Sequence, residues 1–168
     1  VTLLIGGFYV GGAFELRRYR QATATLPVAL ANLAAPPTSL GVWLDSLHPS
    51  LRNAVRLRVE GERVALPGPS MTPYLVGLLV LLGMLGTFLG MVGTLRSTGV
   101  ALESAADLQA IRASLAAPVK GLGFAFGTSV AGVATSAMLG LLSTLARRER
   151  MQAAQMLDER IATTLRTH

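Results

Sequence analysis

Residues 72–95, TPYLVGLLVLLGMLGTFLGMVGTL, and residues 121–146, GLGFAFGTSVAGVATSAMLGLLSTLA, decide the fold of this chain. Neither stretch contains a charged side chain, and the first uncharged segment begins as early as Val64. A helix of roughly 20 apolar residues is long enough to cross the hydrocarbon core of a bilayer. The two stretches therefore predict two transmembrane helices in an all-α membrane protein.

The composition of the 168 residues also indicates a membrane environment. Apolar residues make up 51% and charged residues 14% of the chain, whereas about a quarter of a soluble domain is charged. The net charge of +6 comes mainly from arginines beside the apolar stretches, and no basic stripe with interleaved aromatic residues is present. This distribution favours membrane topology over nucleic-acid binding. The chain has no cysteine, which excludes disulfides and thiolate metal sites.

We predict three transmembrane helices with their connections. The first apolar run is interpreted as the end of a longer span, since 14 helical residues cover only about 21 Å. In chain order the segments are the end of the first transmembrane helix (1–14), a cytoplasmic segment (15–71), the second transmembrane helix (72–95), an outside loop (96–120), the third transmembrane helix (121–146) and a cytoplasmic helical tail (147–168).

Prolines are expected to interrupt the helices outside these spans. Pro27, Pro36 and Pro37 are predicted to break residues 21–44 into short helical pieces. Pro118 is predicted to close a short amphipathic helix in the outside loop.

The distribution of basic residues predicts the orientation. With the N-terminus outside and the C-terminus in the cytoplasm, twelve of the fifteen Lys and Arg residues lie inside. Cytoplasmic loops of membrane proteins carry such an excess, and the opposite topology would export all twelve.

Glycines recur on both spans at steps of three and four residues. Helices in lipid gain little by hiding apolar surface from each other, so close approach through small residues is a main route to tight packing. The predicted packing glycines are Gly83, Gly86, Gly90 and Gly93 on the second span and Gly132 and Gly140 on the third.

Hydroxyl residues form three pairs at a spacing of seven, so the members of each pair lie on one helix face. The pairs are Thr87 with Thr94, Thr128 with Thr135, and Ser129 with Ser136. A membrane hydroxyl can satisfy itself by donating to a carbonyl one turn back. The six residues are therefore candidates for the lining of an ion pathway, with ordinary helix packing as an equal alternative.

Neither span contains an Asp, Glu, His, Lys or Arg residue, although such groups usually mark ion pathways. Either the chain conducts nothing, or a second subunit supplies a carboxylate. The only histidines, His48 and His168, lie outside the spans, which argues against an intramembrane enzyme. No cofactor or metal site is implied.

At two motifs the chain resembles the MotA/TolQ/ExbB proton-channel family, and most closely its ZorA-like and DUF802-type branch. The motifs are LGTFLGM at 85–91 and AFGTSVAG at 125–132. The resemblance implies a homopentamer in the bacterial inner membrane. It also implies two copies of a single-span partner, similar to ExbD, TolR, MotB or ZorB, with an intramembrane Asp that Thr87 and Thr128 would face. The third span lacks the proline that is often found midway in the ExbB and TolQ branch.

On this basis the expected function is the channel-forming, stator-type subunit of a proton-driven motor. The alternative is a membrane scaffold that packs helices without conducting ions. An adjacent gene for a single-span protein with one intramembrane Asp would favour the motor.

Overall fold

The computed structural model describes residues 1–33, 37–103 and 108–165, and all regular elements in these ranges are helical. The all-α prediction is confirmed for these residues. The elements are α1 (Thr2–Ala31), α2 (Leu40–Asp45), α3 (Pro49–Val59), α4 (Thr72–Glu103), α5 (Leu108–Arg160) and a terminal π-helical turn (Ile161–Leu165).

Two of the predicted helix breaks are wrong, because Pro27 lies inside α1 and Pro118 lies inside α5. An internal proline removes one intrahelical hydrogen bond, and tertiary packing can outweigh that loss. The turn around Pro27 is held in this way, since Leu26 and Leu30 are both buried in a hydrophobic core. Of the other predicted breaks, Pro36 lies outside the described residues and Pro37 lies in the non-helical link before α2.

Helices α4 and α5 also occupy most of the predicted outside loop. Helix α4 continues to Glu103 and α5 begins at Leu108, while residues 104–107 lie outside the described residues. Residues 147–160, which were predicted to form a helical tail, continue α5 as one helix to Arg160.

The chain divides into two compact units. Unit 1 comprises residues 1–12 and 73–140, and unit 2 comprises residues 13–72 and 141–168. Unit 1 contains the start of α1, nearly all of α4 and the first part of α5. In this unit α1 approaches closely at Gly12, where an added Cβ would lie 2.7 Å from Cδ2 of Leu139.

Unit 2 is a small helical bundle with a leucine-rich core. Side chains from α1, α2, α3 and the end of α5 form this core, with Leu26, Leu51 and Leu157 fully buried. Trp43, the only tryptophan, lies in the same core and donates from Nε1 to the carbonyl oxygen of Ala29 at 3.2 Å. The carbonyl groups in the last turn of a helix have no intrahelical N–H donor, and this bond provides a donor for the one of Ala29.

Helix α3 ends before the Pro67-Gly68-Pro69 segment. Gly61 has a φ of +94°, the left-handed conformation that glycine adopts without steric cost. The N–H of Glu62 donates to the carbonyl of Leu57 at 2.9 Å, and that of Gly61 donates to Arg58 at 3.1 Å. This pair of bonds is the Schellman motif that terminates many helices.

Two helical stretches are long and apolar enough to cross a membrane. They are Thr72–Val100, with a mean hydropathy of 2.4, and Pro118–Leu165, with 1.6. Only 22% and 28% of their most apolar windows are buried within the chain, whereas the core helix of a soluble protein is mostly buried. Large apolar side chains such as Phe88 and Phe126 are 58% and 68% exposed. Surfaces of this kind need lipid or neighbouring chains around them.

Candidate ion-pathway site

Helices α4 and α5 come into backbone contact in unit 1 at a pair of glycines. A Cβ added to Gly132 would lie 2.6 Å from Cα of Gly83 and 2.8 Å from the carbonyl oxygen of Leu79. A Cβ added to Gly83 would lie 3.2 Å from Cα of Gly132. Because the opposing atoms belong to the backbone, a side chain at Gly132 cannot be accommodated by a rotamer change. The helices approach this closely only because both positions lack a Cβ.

The same contact continues along α4 with small residues opposite each other. A Cβ on Gly86 would lie 2.6 Å from Oγ1 of Thr128, and one on Gly90 would lie 2.9 Å from Cα of Ala125. On α5, a Cβ on Gly121 would lie 2.5 Å from Oγ1 of Thr94. The glycines thus bring two of the predicted threonines against the backbone of the neighbouring helix.

Two of the predicted packing glycines lie outside this close contact. A Cβ on Gly93 would meet nothing within 4 Å, and one on Gly140 would meet only Cγ1 of Val76, at 3.9 Å.

The hydroxyls of Thr87 and Thr128 converge on one backbone carbonyl. Thr128 Oγ1 donates to the carbonyl oxygen of Ala125 at 2.8 Å, and Thr87 Oγ1 reaches the same oxygen from α4 at 3.5 Å. The single hydroxyl proton of Thr87 is donated to the carbonyl of Gly83 at 3.1 Å, so its 3.5 Å separation from the Ala125 oxygen is a close approach and not a second full hydrogen bond. Thr128 is only 1% exposed, whereas Thr87 is half-buried. Thr128 therefore holds the Ala125 carbonyl from the buried side, and Thr87 is the accessible member of the pair.

The other four predicted hydroxyl residues occupy different settings. Thr94 donates to Gly90 at 2.8 Å and Thr135 donates to Ala131 at 2.7 Å, each to a carbonyl one turn back. Ser136 is buried and donates across the helix contact to the carbonyl of Val76 at 2.8 Å. Within the described part of the chain, the half-buried hydroxyl of Ser129 makes no hydrogen bond.

These bonds determine what the hydroxyls can do chemically. A hydroxyl has one proton to donate and two lone pairs to accept with. Because the proton of Thr87 is donated to a helix carbonyl, its oxygen remains available as an acceptor. Such an oxygen can accept a hydrogen bond from a protonated carboxyl group but offers no free proton to an ionised carboxylate.

The surroundings of these hydroxyls carry no charge. Residues 73–95 and 121–140 contain no titratable side chain apart from the phenol of Tyr74. Within the described ranges, no group of three or more His, Asp or Glu residues could hold a metal ion.

Unit 2 contains a buried cation that the sequence analysis did not identify. Arg150 is 5% exposed and donates to Thr23 Oγ1 at 2.8 Å, to the carbonyl of Pro67 at 2.5 Å and to that of Tyr19 at 2.9 Å. Its guanidinium also lies 3.8 Å from the centre of the Tyr19 ring. Burial lowers the pKa of Arg150, and attraction to Tyr19, once its phenol ionises, opposes this shift. The sequence contains one indication of this burial, because Arg150 lies at helical spacing from Ala146, Ala153 and Leu157, which are buried on the same face.

Glu15 is a second interaction missed at the sequence level. Its carboxylate accepts from the N–H groups of Ser70 and Met71, each at 3.0 Å, and from Thr72 Oγ1 at 2.5 Å. Helix α4 begins at Thr72, so the carboxylate lies where a negative charge stabilises a helix. Burial raises the pKa of Glu15, but the hydrogen bonds from Thr72, Met71 and Ser70 lower it to a net value below 4.5.

No protein-family model, curated protein or solved structure matches the chain. The resemblance to the MotA/TolQ/ExbB family therefore rests on the residues of the two spans alone.

Proposed function

We propose that the chain is the channel-forming, stator-type subunit of a proton-driven motor in the bacterial inner membrane. In this proposal it crosses the membrane three times, with the N-terminus outside and the C-terminus in the cytoplasm. Five copies form a ring around two copies of a single-span partner that carries an intramembrane Asp.

The exterior of unit 1 supports placement in a membrane assembly. Its two long helices are mostly unburied within one chain, and their exposed side chains are largely apolar. The boundaries between the units, after residues 12, 72 and 140, also lie close to the predicted membrane edges at 14, 71 and 146. Twelve of the fifteen Lys and Arg residues fall in the residue ranges of unit 2, which supports the proposed division of the chain.

The observation that carries the proposal is the convergence of Thr87 and Thr128 on the carbonyl of Ala125. The family resemblance assigns both threonines to the partner's Asp, and they lie 41 positions apart in the sequence. The hydroxyl-bearing surface of the two spans, called the polar wall here, is therefore centred on the Ala125 carbonyl oxygen, where both threonines lie. Thr87 remains half-exposed there and can accept a hydrogen bond from a bound acid.

The chemistry of this wall favours the protonated form of the partner's Asp. An ionised carboxylate in the membrane costs at least a few kcal/mol, and the wall provides no cation to offset that cost. A neutral carboxyl group can donate to Thr87 and pass the apolar surface on either side. Loading a proton from one side of the membrane and releasing it to the other would then bias movement of the ring around the partner.

The test is proton flux into proteoliposomes that contain the chain and the single-span protein encoded by the adjacent gene. Thr87→Val removes the hydroxyl at nearly constant volume and should lower the flux roughly tenfold, because the neutral hydrogen bond that is lost contributes about 1.4 kcal/mol. Thr87→Ser retains the hydroxyl and should conserve most of the flux. Thr98→Val is the matched control, because its hydroxyl lies on the same helix and donates to the carbonyl of Thr94. Normal flux in an assembled Thr87→Val complex would contradict the proposal.

A non-conducting scaffold is the second candidate function, and one observation favours it. Five of the six predicted pathway hydroxyls donate to backbone carbonyls of the chain itself. In a scaffold these bonds would be their whole role, removal of the Thr87 hydroxyl would change only stability, and proteoliposomes with the wild type would show no proton flux. The same flux experiment therefore separates the two functions.

A further inference from the structure

The arginines of unit 2 fall into three groups by their surroundings. Four of them form ion pairs with carboxylates, namely Arg20, Arg52, Arg56 and Arg58. Arg150 is buried. The remaining described arginines have no carboxylate within ion-pair distance in the described ranges, and these are Arg17, Arg18, Arg63, Arg147, Arg148 and Arg160.

Four of the unpaired arginines lie on two adjacent helical turns. Arg17 and Arg18 belong to α1, and Arg147 and Arg148 belong to α5. The two turns are held side by side, because Arg20 donates twice to Glu149 at 2.9 Å and Arg150 binds the carbonyl of Tyr19.

The carboxylates nearest to this surface are already engaged. Glu149 is paired with Arg20, and Glu15 accepts hydrogen bonds at the start of α4. All four arginine side chains are exposed, so their charges are not neutralised by the chain.

Apolar side chains border the arginines on the side of the spans. Phe14 is 56% exposed and lies under the guanidinium of Arg18, 5.3 Å from the ring centre. On α5, Leu141 and Leu145 are 62% and 47% exposed and lie six and two positions before Arg147. Basic side chains next to an exposed apolar surface match a phospholipid, whose phosphate group lies above its acyl chains.

We propose that Arg17, Arg18, Arg147 and Arg148 form a binding surface for anionic phospholipid headgroups of the inner leaflet. Each such arginine contributes about fivefold to the association with an anionic lipid. A zwitterionic lipid has the same phosphate but compensates its charge, so the surface selects for net negative charge. The inference depends on the membrane placement of the chain and not on proton passage.

The test is native mass spectrometry of the full chain in mild detergent, titrated with dioleoyl phosphatidylglycerol or dioleoyl phosphatidylcholine. The wild type should bind phosphatidylglycerol at least a hundredfold more tightly, since four arginines contribute about fivefold each. Arg147→Gln/Arg148→Gln should reduce this preference by about fivefold per arginine. Arg147→Lys/Arg148→Lys should keep most of the preference for phosphatidylglycerol. Arg17→Gln/Arg18→Gln, on α1, should reduce the preference as much as the glutamine substitutions on α5.

Arg56→Gln/Arg160→Gln is the matched control, because it removes the same charge from exposed positions elsewhere in unit 2. Arg160 lies about 18 Å further along α5 than Arg148, well beyond the screening length of about 8 Å at physiological salt. This control should keep the lipid preference. An equal loss in the control would show a general charge effect and would overturn the proposal. Equal binding of the two lipids by the wild type would also overturn it, and would favour an acidic protein segment as the partner of the arginines.

Discussion

Helix α5 uses one spacing to pack in two different ways. In unit 1 the residues that face α4 are small, namely Gly121, Ala125, Thr128 and Gly132. In unit 2 the buried residues at the same steps of four, three and four are Ala146, Arg150, Ala153 and Leu157. Helix α5 therefore has a packing face with the same spacing in both units. The size of the side chains on that face determines which neighbouring groups it can contact.

This difference shows how the surroundings determine packing. In unit 1 the exterior is apolar, so helices gain stability mainly from close backbone contact through small residues. In unit 2 the exterior carries the paired and unpaired arginines, and a leucine core supplies the hydrophobic stabilisation. A substitution should therefore have different consequences in the two units, and the following predictions test this comparison.

The largest effect is expected at the buried cation of unit 2. Arg150→Ala removes three hydrogen bonds from a charged donor and leaves a cavity beside Tyr19, which should lower the free energy of unfolding by about 2–4 kcal/mol. Trp43 lies in the core of the same unit, so its fluorescence reports the unfolding of unit 2 in mild detergent.

The matched control for this prediction is Arg148→Ala, two positions away and exposed. In detergent without anionic lipid it should change stability by less than about 0.5 kcal/mol. Equal destabilisation by both substitutions would show that Arg150 stabilises the protein through its charge alone and not through its buried contacts.

A smaller effect is expected at the glycine contact of unit 1. Gly132→Ala places a Cβ against the backbone of Gly83 and Leu79, and this overpacking should cost about 1–3 kcal/mol. Gly127→Ala, on the same helix, meets nothing within 4 Å and should be neutral or stabilise the helix by up to about 1 kcal/mol. Thermal melts followed by circular dichroism measure both. Identical melting temperatures of the two variants would contradict the close contact between α4 and α5.

The smallest effect is expected at Glu15, and it should depend on pH. Glu15→Gln weakens the cap of α4 and should lower the free energy of unfolding by about 1 kcal/mol at pH 7. The pKa of Glu15 is lowered in the folded state, so its stabilisation is present above the unfolded-state pKa and is lost as the pH falls through the lowered pKa. The melting temperatures of wild type and variant should therefore converge as the pH falls through that range. A difference that is constant with pH would contradict the role of the carboxylate charge.

Local spacing made part of the site predictable from the sequence. The steps of three and four residues place Gly83, Gly86, Gly90 and Gly132 on helix faces, and these glycines do lie at the contact between α4 and α5. Gly93 follows the same steps but lies outside the contact. Periodicity identifies which face of a helix can pack, but the length of the contact depends on the path of the second helix.

Other features could not be read from local patterns because their partners are distant in the chain. Glu15 and Thr72 are separated by 57 positions, and Arg150 and Thr23 by 127. The continuation of α1 through Pro27 has the same origin, since burial of Leu26 and Leu30 in a shared core outweighs a local helix-breaking tendency.

The most direct test of the proposed ring is native mass spectrometry of the full chain. The chain would be purified in detergent after co-expression with the single-span membrane protein encoded by the adjacent gene. The account predicts a complex of five copies of this chain with two copies of the partner. A monomer or dimer without the partner would contradict it, and would leave the Thr87 and Thr128 hydroxyls as ordinary elements of helix packing.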